Sequence, residues 1–158
     1  MEKMRFGLIG RNLEHSFSAS YFDSKFKEQC LPHTYENLEF ESIMDINRPQ
    51  LLAFEGFNVT IPYKQEIISL LDSLSPEATI IGAVNCIEQR DGELIGHNTD
   101  AYGFRTALRP FLKSYHRKAL ILGTGGASSA VRFVLDELGV EYLMVSREPK
   151  EGQLAYNE

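Results

Sequence analysis

The segment from Lys118 to Val145 restricts the fold of this chain more than any other. Lys118-Ala119-Leu120-Ile121-Leu122 is a continuous apolar run that leads into Gly123-Thr124-Gly125-Gly126. A helical pattern from about Ala127 to Leu138 follows, Gly139 stops it, and Glu141-Tyr142-Leu143-Met144-Val145 is a second apolar run. Strand, glycine turn, helix and strand in that order predict a parallel βαβ unit. A glycine turn between a strand and a helix is also the context in which backbone N–H groups approach a phosphate, aided by the positive helix N-terminus. Gly123, Thr124, Gly125, Gly126 and Ala127 are therefore candidate cofactor-binding residues, with Ser128 at the third small position. A glycine turn that binds nothing would read the same locally.

The second run ends in Ser146-Arg147, about 20 residues beyond the glycines, where ribose recognition is decided. An acid there would suit the 2′-hydroxyl of NAD. Ser146 and Arg147, with Lys150 nearby, suit a 2′-phosphate and so favour NADP, although Glu148 would repel a phosphate if it pointed inward. A dinucleotide-binding domain needs two such halves, and the expectation is that this chain ends inside the first. The second run would then leave an unpaired edge near residues 146–158, inviting association or disorder.

Upstream, strands and helices alternate with connections long enough for parallel crossovers, so the fold class is α/β. The boundary falls at Asp100, giving residues 1–100 and 101–158. Met4 to Ile9 reads as a buried strand. A helix capped by Ser18 or Ser20 follows, with Tyr21, Phe22 and Phe26 as its buried stripe. Thr34 to Phe40 alternates as a half-buried strand, and a helical stretch over residues 42–54 is broken or restarted by Pro49. Phe57 to Thr60 is a short strand; Pro62 opens a helix through Leu71, and Ser75-Pro76 opens another. Asp91-Gly92 joins Cys86–Arg90 to Glu93–His97 as a hairpin, and Thr99 or Asp100 caps a helix to about Leu112.

Charge divides at the same place. Residues 1–100 hold 8 basic and 16 acidic side chains, whereas residues 101–158 hold 8 and 6. The net charge of −6 argues against a nucleic-acid surface. No apolar run approaches the roughly 20 residues of a membrane helix. Cys30 and Cys86 do not make a disulfide framework, so a reducing, cytoplasmic setting without a metal site is expected.

Three polar constellations could carry chemistry. Asn58-Val59-Thr60-Ile61-Pro62-Tyr63-Lys64 places Lys64 in the first turn of the expected helix, where the helix field disfavours a cation and favours proton exchange. Taken alone, Lys64 reads as a surface lysine and Asp100 as a helix cap; held together, Asp100 would orient Lys64. Asn85, at a strand start, could line the same cleft. Ser16 and Ser18 can donate to one carboxylate or can simply cap a helix, with His15 supporting the loop and His97 ending the hairpin.

Together these pieces resemble shikimate dehydrogenase, from Phe6 to about Arg147. The resemblance rests on Gly10 with His15-Ser16-x-Ser18, Asn58-Val59-Thr60-x-Pro62-x-Lys64, Gly82-Ala83-Val84-Asn85, Asn98-Thr99-Asp100 and Gly123-x-Gly125-Gly126-Ala127, in that order. It implies an N-terminal α/β substrate-binding domain with a mixed, mainly parallel sheet followed by an incomplete Rossmann-like NADP-binding domain, and NADP-dependent interconversion of shikimate and 3-dehydroshikimate in aromatic amino-acid biosynthesis. By that resemblance Ser16 and Ser18 hold the substrate carboxylate, while Thr60, Lys64, Asn85 and Asp100 surround its hydroxyls. Lys64 and Asp100 form the catalytic pair, and the glycine turn with Ser146 and Arg147 holds NADP. Ala19 departs from the family's usual proline, Cys86 from threonine, Ser146 from asparagine and Glu148 from threonine. Family members also continue for roughly another domain, which supplies the nicotinamide side of the cleft and a glutamine that contacts substrate. A non-catalytic shikimate-binding module is the alternative, as is an enzyme that also oxidises quinate. A folate one-carbon dehydrogenase shares a two-domain plan, but the His-Ser-x-Ser and Asn-Val-Thr motifs disfavour it.

Overall fold

A computed structural model describes residues 2–157. Nine strands form two sheets among these residues. The first sheet has the order β2-β1-β3-β5-β6-β4, built from β1 (Arg5–Gly10), β2 (Thr34–Glu39), β3 (Gly56–Val59), β4 (Ser73–Leu74), β5 (Cys86–Arg90) and β6 (Glu93–His97). Three of its five pairings are parallel, and β5 turns the direction to run antiparallel to both β3 and β6. The second sheet, in the order β7-β8-β9, is wholly parallel: β7 (Lys118–Leu122), β8 (Glu141–Ser146) and β9 (Gln153–Ala155).

The helices sit close to where caps and breakers put them. α1 (Phe17–Glu28) starts two residues earlier than a Ser18 cap would place it, because Ser16 rather than Ser18 or Ser20 is its cap and accepts from the Ser18 N–H at 3.3 Å. Its expected stripe is only partly correct, since Phe22 and Phe26 are half-buried and Tyr21 is exposed. Pro49 restarts the chain as α2 (Arg48–Leu51) after a 3-10 turn at Ile43–Asp45. Ser75 caps α3 (Pro76–Ile81) through the Ala78 N–H, and Asp91 and Gly92 turn the hairpin with φ of 53° and 85°. α4 (Asp100–Leu108) ends four residues short of the expected Leu112, and α5 (Gly126–Glu137) stops before Gly139 at φ 65°.

Two expectations fail. Pro62 does not open a helix: residues 61–65 form turns, the Ile61–Pro62 bond is cis, and only a 3-10 segment at Glu66–Leu70 follows. The physical reason is that the Lys64 carbonyl, which a helix would use internally, accepts from the Val84 N–H at 2.7 Å. Nor does β8 end the sheet with an open edge, because β9 pairs along it.

A core of Ile9, Leu51, Phe57, Val59, Tyr63, Ile67, Ile87 and Leu94 fills the first sheet's packed face. A second cluster, Ile81, Ala83, Ala101, Ala130 and Val134, joins α3, α4 and α5. The third holds α5 to its sheet through Ile121, Leu135 and Val140. Small residues dominate the second cluster, so α5 and its glycine turn lie close against the segment around Lys64 and Ala83. Among the described residues no helix is long and apolar enough to cross a membrane, and no group of three His, Cys, Asp or Glu is placed to hold a metal.

Candidate active site

The polar residues singled out in the sequence gather at one end of the first sheet. Gly10 ends β1, Thr60 follows β3, Asn85 precedes β5, and Asn98-Thr99-Asp100 follows β6. Thr60 N–H donates to Ile9 O and Val59 N–H to Asn85 O, both at 2.9 Å, which ties these strand ends together.

Lys64 and Asp100 meet. Lys64 Nζ donates to Asp100 Oδ2 at 2.6 Å, with side-chain exposures of 15% and 32%. That degree of cover makes the pair more than a solvated surface contact. Asn85 Nδ2 donates to the other carboxylate oxygen and to Thr99 Oγ1, both at 2.9 Å, while Asn85 Oδ1 accepts the Thr99 N–H at 2.7 Å. Each oxygen of Asp100 thus has its own donor, and the carboxylate cannot swing. Its place as the first residue of α4 also suits a negative charge.

Asn98 explains why this cluster forms. Its side chain is buried, donates to Ala83 O at 2.9 Å and accepts from Ala101 N–H at 3.2 Å. Asn98, rather than Thr99 or Asp100, therefore provides the side-chain cap of α4, which leaves Thr99 for Asn85 and Asp100 for Lys64. The expected dipole argument for Lys64 does not apply, because it lies in a turn ahead of a 3-10 segment rather than in a helix.

Ser16, Ser18 and Thr60 line one hollow of about 480 Å³ with Arg11 and His15. Ser16 accepts a backbone bond as a cap, yet its hydroxyl proton stays available to donate. Capping and carboxylate binding are therefore compatible here. Tyr35, unremarkable in the sequence as one residue of a half-buried strand, donates to Asn58 Oδ1 at 2.8 Å. Burial pushes its phenol up to about 12, with a hydrogen bond from Ser18 opposing, so the hydroxyl stays protonated and braces Asn58. Burial, and then Glu88, likewise push the Cys86 thiol up, which keeps it an unreactive neighbour. His97 ends the hairpin as expected, with Nε2 3.3 Å from Glu88 Oε2.

The glycine turn is tight: Gly123 has φ 106° and donates to Val145 O at 2.8 Å. A side chain at Gly125 would meet nothing within 4 Å, and α5 starts without a side-chain cap. An open cradle in front of unsatisfied amides fits a phosphate. Beside it lies a polar pocket of about 230 Å³ lined by Thr124, Ser128, Arg132, Glu148, Lys150 and neighbours. Arg147 is exposed and is not among its lining residues. The Ser146 hydroxyl is already engaged, donating to Glu148 O and accepting Glu148 N–H. Arg132, one helical turn along α5 from Ser128 and Ser129, brings a cation to the lining of this pocket.

A family profile described as the shikimate dehydrogenase substrate binding domain matches residues 8–87. Shikimate dehydrogenase (NADP(+)) of Syntrophomonas wolfei is 45% identical over 140 residues, covering 87% of this chain and 48% of that protein. The Methanocaldococcus jannaschii protein of the same name is 42% identical over 137 residues, 82% of this chain and 47% of its own length. Among solved structures, shikimate dehydrogenase 1 of Peptoclostridium difficile superposes with a TM-score of 0.85 at 36% identity, over 96% of this chain and 58% of that one. A Thermus thermophilus shikimate 5-dehydrogenase in complex with NADP(H) and shikimate gives 0.79 at 36% identity, over 94% and 58%. The chain spans about half the length of the curated relatives it matches. With half of its residues under that profile and the strand-end cluster in place, the chain belongs to the shikimate dehydrogenase substrate-binding domain family.

Proposed function

We propose that this chain binds shikimate and handles the proton in its NADP-dependent interconversion with 3-dehydroshikimate. In this reading residues 1–100 are the substrate-binding and catalytic domain, and residues 101–158 are the linking helix and first part of a Rossmann-like nucleotide-binding domain. The observation that carries the reading is the covered Lys64–Asp100–Asn85 cluster at the same sheet end as the Ser16, Ser18 and Thr60 hollow. Ser16 and Ser18 donate to the substrate carboxylate. Thr60, Asn85 and Asp100 set its hydroxyls against Lys64. Lys64 exchanges the proton of the reacting oxygen, and Asp100 holds the lysine in line and balances its charge. Gly123, Thr124, Gly125, Gly126 and Ala127 would hold the pyrophosphate of NADP, whose chemistry when bound is hydride acceptance. The free thiols Cys30 and Cys86 fit the reducing cytoplasm as its place of action.

Calorimetric titration of shikimate into the chain tests the reading. Saturable binding is expected, and the Ser16→Ala/Ser18→Ala pair should weaken it by roughly a hundredfold, the cost of two hydrogen bonds to a charged group. No binding by the unaltered chain would remove the reading. Binding without shikimate-dependent NADPH absorbance would instead favour the non-catalytic module, and equal use of quinate would broaden the substrate.

The 2′-phosphate is assigned to Arg132 and Lys150 rather than to Ser146 and Arg147, since the first two line the pocket beside the turn. Arg132→Ala/Lys150→Ala should raise the dissociation constant for NADP by on the order of tenfold or more and leave that for NAD unchanged. Equal weakening of both nucleotides would refute the assignment.

A further inference from the structure

Gly126 is the first residue of α5, and its φ is not positive. Backbone freedom therefore does not explain a glycine there. Space does. A methyl group at 126 would lie 2.8 Å from Lys64 Cβ, 3.5 Å from Lys64 Cδ and 3.6 Å from Ala83 Cβ. At Gly125, one residue earlier, the same methyl would touch nothing within 4 Å. The nucleotide turn thus has two glycines with different work: one open towards a ligand, the other closed against the lysine.

Lys64 has little room to yield. Its carbonyl is fixed by the Val84 N–H at 2.7 Å, its Nζ by Asp100 at 2.6 Å, and its side chain is 15% exposed. The nearest atom is Cβ, which moves only with the backbone. Behind it, Ala83 is fully buried in the small-residue cluster that seats α5. A lysine pinned at both ends and flanked by alanine and glycine can be placed to a few tenths of an ångström by the packing of its methylenes.

We propose that Gly126 is a positioning residue for Lys64: the phosphate turn packs directly on the lysine stem and sets where its ammonium sits. Whatever moves the turn then moves the lysine, which links the nucleotide side of the site to the proton-handling side. The consequence for shikimate rests on the role given to Lys64 above, whereas the packing itself does not.

The test uses the chain by NMR and calorimetry. In the unaltered chain, a nuclear Overhauser contact between the Gly126 Hα and Lys64 Hβ protons is expected, and its absence would overturn the proposal without any variant. Gly126→Ala should displace the Lys64 ammonium signal, identified by its loss in Lys64→Arg, and weaken shikimate binding about tenfold. Gly125→Ala should leave that signal in place. A Gly126→Ala protein that melts as a folded chain with the Lys64 signal unmoved would refute the coupling. If the unaltered chain binds no shikimate, the functional reading fails, and the proton contact and ammonium signal still decide the role of Gly126.

Discussion

Lys64→Ala is expected to lower shikimate-dependent NADP reduction by roughly a hundredfold to ten-thousandfold, the range a positioned acid–base group supplies. The lysine is the one side chain in the cluster that both carries exchangeable protons and is held by an anion, with Asp100 Oδ2 at 2.6 Å. Asp100→Asn keeps the shape and the Asn85 contact while removing the charge, so it should cost a comparable factor with little change in melting temperature. Asn85→Ala should cost less, because it frees one carboxylate oxygen but leaves the ion pair. Following NADPH absorbance across these three variants ranks the roles. Wild-type rates in both Lys64→Ala and Asp100→Asn would end the proposed mechanism, and a collapse of melting temperature in either would reassign that residue to the fold.

Much of this site was legible in the sequence because its residues stand next to strand ends and turns that local chemistry marks. Asp91-Gly92 requires positive φ at both turn positions and shows it, which fixes the register of β5 on β6 and so brings Asn85 opposite the residues after His97. The glycine turn after Leu122 is equally local. What sequence could not show is pairing at a distance. Pro62 ahead of Tyr63 to Leu71 has the signature of a helix start, yet a long-range bond from Val84 to the Lys64 carbonyl decides otherwise. Asn98 looked like one member of a polar triplet, and only its bonds to Ala83 and Ala101 reveal a buried brace. Arg132 was invisible because a helix brings it to the pocket from the side, whereas Arg147 follows the strand end and lies exposed. β9 is three residues long, too short to announce itself by alternation.

Gly10→Ala should destabilise the chain and disable the substrate hollow together. The added methyl would lie 2.5 Å from Thr60 Cγ2, 2.7 Å from Leu13 Cδ2 and 3.3 Å from the Ile61 carbonyl oxygen. Its φ is not positive, so the glycine is required by crowding and not by conformation. Relief would need new rotamers of Thr60, which lines the hollow, and of buried Leu13, while the Ile61 carbonyl oxygen is backbone and cannot rotate away. Overpacking of this kind costs about 1–3 kcal/mol, which for a chain of this size lowers the melting temperature on the order of 5 °C. Because Leu13 carries the turn that leads to Ser16, the strain reaches the hydroxyls proposed to hold the carboxylate. Shikimate affinity should therefore fall about tenfold or more in protein that is still folded at the assay temperature. The double substitution Gly10→Ala/Thr60→Ser removes the nearest clashing methyl and should recover part of the melting temperature. Recovery of stability without recovery of affinity would locate the damage at Leu13 and Ser16. An unchanged melting temperature in Gly10→Ala alone would show that the strand end is looser than the packing around Thr60 implies.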